Sequence, residues 1–334
     1  MKIAILGAGG FIGSNLVEFL LSRAEHEIIG VDVTDEKLAG IGGAQFTFHT
    51  ADVESEGDLV DSIVRDTDVV VDLIAYANPS IYVKDPLSVV KLNFFENYNV
   101  VEMCVRHGTR LIQYSTAEVY GHPSGETYDE DTSRLVAGPV QKQRWIYSCA
   151  KQLLERVVHA YGLSGDLAYT IVRPFNFVGP RFDYLVDAGS MGGPRLFAHY
   201  ISALLTGGPM YLVDGGHRHR SFTHIADANT AFQTMLDHPN AHNEIFNVGN
   251  PGVNVTVRQV AELMLSLFEE LTGASPTSEL VEVDGETFYG AGYEDVDRIL
   301  PSIDKLSALG WRPEHGLERT FRDAMLSYLP VPAE

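Results

Sequence analysis

Residues 2–13, KIAILGAGGFIG, constrain the fold more than any other stretch: a five-residue apolar run ends in glycines spaced GxxGxxG and passes straight into a helical pattern. The same alternation continues through EIIGVDV, FTFHTADV, DVVVDLIAYA, NFFENYNVVEMCVRHG and RLIQYST. Strands this apolar, joined by crossovers of helix length, are buried on both faces, and so they specify a parallel, doubly wound α/β sheet of Rossmann type. A helix over about 145–161 then leads into AYTIVRPFN as a further strand. HIADANTAFQTMLDH and EIFNVGN read as a helix and strand that rejoin this first domain. The expected division is residues 1–177 plus about 222–250 for a dinucleotide-binding domain, with 178–221 and 251–330 as a smaller substrate-binding lobe over the carboxyl ends of the strands.

The glycines Gly7, Gly10 and Gly13 open the first helix at a strand end, where a tight turn and a helix amino terminus receive a pyrophosphate. Asp32 closes the second strand, and a carboxylate there accepts ribose hydroxyls and repels a 2′-phosphate, which favours NAD over NADP. Asp52, at the end of FTFHTADV, reads equally as an adenine contact and as a helix cap. Further on, Tyr147 and Lys151 in WIYSCAKQLLERV lie four apart on one helix face. A tyrosine serves as a base near neutral pH only if its phenol is lowered, and an adjacent ammonium has that effect. Ser115 and Thr116, at the end of RLIQYST, supply hydroxyls for a substrate alcohol, and Glu118 follows them as an ionisable group at a strand end.

Composition narrows the partners. Lys+Arg total 24 against 45 Asp+Glu, a net charge of −21. This argues against nucleic acid and anionic membrane, which need a basic surface. The two cysteines, Cys104 and Cys149, lack metal-ligand spacing and read as reduced thiols, so no metal is expected and the expected compartment is cytoplasmic. No run of about 18 apolar residues appears anywhere and MKIAILG has no charged and apolar leader pattern, so neither membrane spanning nor export is expected.

GAGGFIGS, STAEVYG, YSCAK and RPFNFVGPR together resemble the extended short-chain dehydrogenase/reductases that act on nucleotide sugars, over about residues 1–325. QKQRWIYSCAKQLLERV, TIVRPFNFVGPRFDY, LVDGGHRHRSF and FYGAGYEDVDRILPSI are similar to the branch of UDP-glucuronate decarboxylases and UDP-apiose/UDP-xylose synthases. The resemblance implies catalytic roles for Thr116, Glu118, Tyr147 and Lys151. It implies an NAD groove of Gly7, Gly10, Phe11, Ile12, Gly13, Asp32, Asp52, Val53, Leu73, Ala75, Asn93, Ser115, Tyr147, Lys151 and Pro174. Substrate contacts would come from Asn176, Arg181, Arg195, Tyr211, Arg220, Tyr289 and Arg298, with Arg181, Arg195 and Arg220 as diphosphate clamps; Arg218 reads equally as a surface residue, and His217 and His219 as loop histidines.

The implied reaction oxidises C4 of UDP-glucuronate, loses C6 as CO₂, and gives UDP-xylose or UDP-4-keto-xylose. Helices over about 86–107 and 145–161 would pair in a homodimer. Three positions depart from the family pattern. Ala77 and Ala117 replace the cysteines of ring-contracting relatives, which disfavours ring contraction, and Ala117 also replaces a serine of many decarboxylases. Ile299 stands where an arginine is usual, with Arg298 one residue earlier. The competing readings are a UDP-sugar 4-epimerase, a dehydratase, an apiose/xylose synthase-like enzyme and a catalytically silent NAD-binding module.

Overall fold

A computed structural model of the protein describes residues 1–122, 127–187, 195–290 and 300–329. Its first half runs β1 (Lys2–Leu6), α1 (Phe11–Arg23), β2 (Glu27–Asp32), β3 (Phe46–Thr50), α2 (Gly57–Arg65), β4 (Val69–Asp72), α3 (Asn97–His107), β5 (Arg110–Tyr114), α4 (Trp145–Ser164) and β6 (Tyr169–Pro174). The remainder runs α5 (Leu196–Thr206), α6 (Ile225–Asp237), β7 (Glu244–Val248), α7 (Val257–Thr272) and α8 (Leu317–Leu326). The seven strands form one parallel sheet in the order β7-β6-β5-β4-β1-β2-β3.

Side-chain alternation splits the sheet into two cores. Ile3, Ile5, Val69, Val71 and Ile112 face one layer, with α1 and α6. Ala4, Leu6, Val70, Leu111 and Ile171 face the other, with α2, α3 and α4. Burial on both faces explains why the strands read as continuous apolar runs. The order reverses between β1 and β4, which leaves a crevice at their carboxyl ends, where such folds bind ligands.

The expected single helix over 86–107 is built in three parts. A short helix Pro86–Val90 passes through a π-helical turn, Lys91–Glu96, into α3. That turn buries Asn93, whose side chain clasps Tyr76 through its N–H (2.9 Å) and its carbonyl (3.2 Å). The loop after β4 is thereby held at the crevice mouth.

Over the crevice sit three small ladders. Met210–Val213 pairs with Leu280–Val283, His219–Ser221 with Asn254–Thr256, and Phe177–Val178 with Thr223–His224. Helix α6 packs on α1, and β7 extends the sheet beside β6. Among the described residues no helix is long and apolar enough to cross a membrane.

Candidate active site

The glycine turn after β1 is shaped for a close-lying ligand. Gly7 has φ +88°, a conformation a side chain strains, and its N–H donates to the Val31 carbonyl at 2.8 Å. A Cβ on Gly13 would lie 2.2 Å from the Gly7 carbonyl oxygen, so α1 rests directly on the turn. Gly9, absent from the sequence expectation, is tighter still: its Cβ would meet the Thr34 carbonyl oxygen at 1.9 Å. Its N–H donates to Asp32 at 2.9 Å, and Val33 N–H donates to the other carboxylate oxygen at 2.7 Å. Burial pushes Asp32 up, and the amides of Val33 and Gly9 oppose that.

Gly7, Gly10, Phe11, Ile12, Gly13, Asp32, Leu73, Ala75, Ser115 and Pro174 all line one cleft of about 890 Å³. Ser115 Oγ, buried at its wall, finds no hydrogen-bond partner among the described residues. Glycine cradle, helix amino terminus, ribose-facing carboxylate and waiting hydroxyl fit a dinucleotide. Asp52 and Val53 do not line the cleft. Asp52 Oδ1 instead accepts the Glu54 N–H at 2.9 Å and closes a turn of its own; it caps no helix, since Glu56 stands at the start of α2. Asn93 also lies behind the wall rather than in it, acting on the loop at Tyr76.

At the other end of the cleft, α4 and the end of β5 bring Thr116, Glu118 and Tyr147 together. Thr116 caps the turn Ala117–Tyr120, accepting the Glu118 N–H at 3.1 Å. Its hydroxyl and the Tyr147 phenol both line the cleft. Two partners that the sequence expectation omitted complete this corner. Arg144, buried one residue before α4, places Nη2 3.7 Å from a Glu118 carboxylate oxygen. Tyr82, from the short helix Pro79–Lys84, stacks on Tyr147 with ring centroids 4.9 Å apart and planes 13° from parallel. Arg144 had a visible signal, a cation directly before the Tyr147 helix. Tyr82 had none, since only the fold brings its loop under Tyr147.

The electrostatics differ from the sequence expectation. Burial and then the Glu118 charge push the Tyr147 phenol above its ordinary value, while Thr116 and Arg195 pull it back. Lys151 is buried behind the cleft wall, with Nζ donating to the Tyr114 carbonyl at 3.2 Å. The groups that act on the phenol are thus Glu118, Thr116 and Arg195 rather than the expected ammonium, and loss of solvent sets the direction.

Of the expected clamps, Arg195 and Arg220 line the cleft, while Arg181 does not. Arg195 forks onto Asp183 (Nε–Oδ2 2.9 Å, Nη2–Oδ1 2.5 Å). Arg181, at φ +61°, turns its guanidinium to Glu18 (2.6 Å) and Ser14 (3.4 Å) on α1, so it braces the domain instead. Arg218 belongs to the cleft wall and pairs with Asp214 at 3.0 Å. Asn176, Tyr211 and Tyr289 line the cleft too. Tyr211 stacks on His199 (5.3 Å, 3°) with Phe288 edge-on (5.7 Å), making an aromatic shelf. Arg298 and Ile299 lie outside the described residues. No cluster of metal-ligating side chains occurs among the described residues.

Comparison with known proteins agrees with this geometry. The model of the NAD dependent epimerase/dehydratase family matches residues 3–249. Among solved structures, the PbgP3 protein from Burkholderia pseudomallei is 33% identical, covering 98% of this chain and 96% of its own, with a TM-score of 0.87. The UDP-glucuronic acid 4-epimerase from Bacillus cereus, solved with UDP-glucuronic acid and NAD, is 23% identical over 98% of each chain, TM-score 0.81. The UDP-glucose 4-epimerase from Thermotoga maritima, solved with UDP-glucose, is 24% identical over 98% of each chain, TM-score 0.79. The last two bear on the fold alone.

Proposed function

Since the chain belongs to the NAD-dependent epimerase/dehydratase family, we propose that within it the protein is a UDP-glucuronate decarboxylase that oxidises C4 and releases C6 as CO₂. The observation that carries this reading is the Arg144–Glu118 pair beside Thr116 and Tyr147. A neutral hexose needs neither charge. A sugar carboxylate needs a cation to enter the corner, and a fixed carboxylate beside it favours its departure as neutral CO₂.

The residues divide the work accordingly. Gly7, Gly9, Gly13, Asp32 and Ser115 would hold NAD, which when bound supplies the hydride acceptor and a positive charge beside Tyr147. Thr116 holds the C4 hydroxyl, and Tyr147 Oη, as the phenolate that a neighbouring positive charge stabilises, receives its proton as the alcohol becomes a ketone. Arg144 binds the C6 carboxylate. The C5–C6 bond then breaks, its electron pair moving onto the C4 ketone as an enolate. Glu118 handles the proton that C5 acquires. The aromatic shelf of Tyr211 and Phe288 suits a uracil ring, and Arg218 and Arg220 suit the diphosphate. This reading includes a cytosolic homodimer, supported by Leu87, Phe95 and Leu153 exposed at 78, 56 and 48% along the helices expected to pair; a monomeric mass by light scattering would remove that part.

Incubating the protein with NAD and UDP-glucuronate labelled with ¹³C at C6 tests the reaction directly. Labelled CO₂ with a UDP-pentose or UDP-4-ketopentose by NMR is the expected result. A six-carbon product with inverted C4 makes the protein a 4-epimerase and overturns it.

A further inference from the structure

Beneath the active site, on the sheet face covered by α4, lies a row of buried polar side chains that the reaction above does not use. Val70 and Leu111 point into the core under α3 and α4, so Asp72 and Gln113, two residues further along each strand, point the same way. Asp72 and Gln113 are directly paired across β4 and β5 and both are fully buried. On β6, Arg173 follows Ile171 in the same sense and forks onto Glu155 at 3.0 and 2.7 Å. Lys151, one turn before Glu155 on α4, is also buried. Two negative and two positive charges therefore occupy one dry layer.

Arg173 and Glu155 satisfy each other. Asp72 is different: Oδ1 accepts the Ile74 N–H at 3.0 Å, but Oδ2 has no hydrogen-bond partner among the described residues. A carboxylate in such a place is costly, more than one main-chain amide repays, so an apolar side chain would be more stable at this position unless the charge serves something. The other cation in the layer is Lys151, whose Nζ donates to the Tyr114 carbonyl and forms no ion pair within 4 Å among the described residues.

We propose that Asp72 is a positioning residue for the reaction, the buried counter-charge that keeps the Lys151 ammonium charged and in place behind Tyr147. The other charged and titratable groups around this layer are the Cys104 thiol from α3, Glu155 and Tyr147 from α4, Arg173 from β6, and the Tyr120 phenol, which accepts from Arg173 at 2.8 Å. Burial raises Asp72 and lowers Lys151, and the charge of each opposes the shift of the other. Cys104, pushed up by burial and then by Asp72, stays neutral. The proposal rests on the oxidation role given to Tyr147 and Lys151, and its first test is independent of substrate.

In protein carrying ¹³C-labelled lysine, the Cε signal that disappears in Lys151→Met identifies Lys151, and its titration midpoint is followed with pH. Asp72→Asn, the same shape without the charge, is expected to move that midpoint down by roughly one unit or more, the scale set by a nearby opposite charge. Asp72→Ser should do the same with less bulk. An unmoved midpoint in both variants, or failure of both to fold, overturns the proposal. If UDP-glucuronate is turned over, the alkaline limb of kcat/KM should shift down equally; a uniform loss of rate at every pH would assign Asp72 to the framework alone. Failure of turnover in the wild type would count against the decarboxylase reading and leave the NMR result standing.

Discussion

Replacing Arg144 with methionine removes the guanidinium while keeping most of the buried stem. Nη2 lies 3.7 Å from Glu118, and the two side chains are 8 and 25% exposed. At an effective dielectric constant of about 20, that separation corresponds to a gross Coulomb energy of about 4 kcal/mol, of which burial of both ions cancels a large part. What a sugar carboxylate gains from the same guanidinium is one charged hydrogen bond, about 1.5–3 kcal/mol net. Arg144→Met should therefore weaken UDP-glucuronate binding about 10- to 150-fold. UDP-glucose, identical except for the neutral C6, should change less than about threefold, within 0.7 kcal/mol. Isothermal titration of both nucleotide sugars against NAD-saturated protein reads the difference. Adding Glu118→Gln should recover part of the loss, since it removes the like charge the sugar carboxylate would then face alone. Equal losses for the two sugars would refute the assignment of Arg144 to the C6 carboxylate.

Gly9→Ala should weaken NAD binding at least about tenfold by fluorescence titration, because its Cβ falls 1.9 Å from the Thr34 carbonyl oxygen and displaces the Asp32 turn; Gly57→Ala, with nothing within 4 Å, serves as the control. Arg173→Met leaves Glu155 charged and buried, so the denaturant midpoint should fall by about 3–5 kcal/mol equivalent, and adding Glu155→Leu should restore most of it. His199 is held down to about 4 by burial, from an ordinary 6.5, and its Nε2 accepts the Tyr211 N–H at 3.0 Å. The unfolded chain thus takes up a proton first: stability is fully present above pH 6.5 and declines as the pH falls towards 4, by at most about 3 kcal/mol. Melting curves of His199→Gln should be flatter over that window; an unchanged slope would show that His199 does not control it.

The features legible in the sequence were those that depend on spacing along the chain. A glycine every third residue after a strand, a carboxylate closing the next strand, and a tyrosine four residues before a lysine need only strand and helix geometry to acquire meaning. The parallel sheet followed from apolar runs joined by helix-length crossovers, and even the late return of Glu244–Val248 to the sheet was visible in its pattern. Asp52 shows the limit of this reading, since an acid after a strand that reads equally as ligand contact or helix cap does neither among the described residues and closes a turn that spacing does not specify.

Tertiary structure decided which charges face which. Arg181 lies in an arginine-bearing motif yet turns to Glu18, 163 residues away, because its backbone takes φ +61°. Arg144 meets Glu118, and Tyr82 meets Tyr147, only because α4 packs on the turn Ala117–Tyr120 and on the short helices that follow β4. The same packing seals Lys151 into a layer with Asp72 and lifts the Tyr147 phenol instead of lowering it. Residue type sets what a side chain can do. Burial and partner, which only the folded chain supplies, set its charge and its direction.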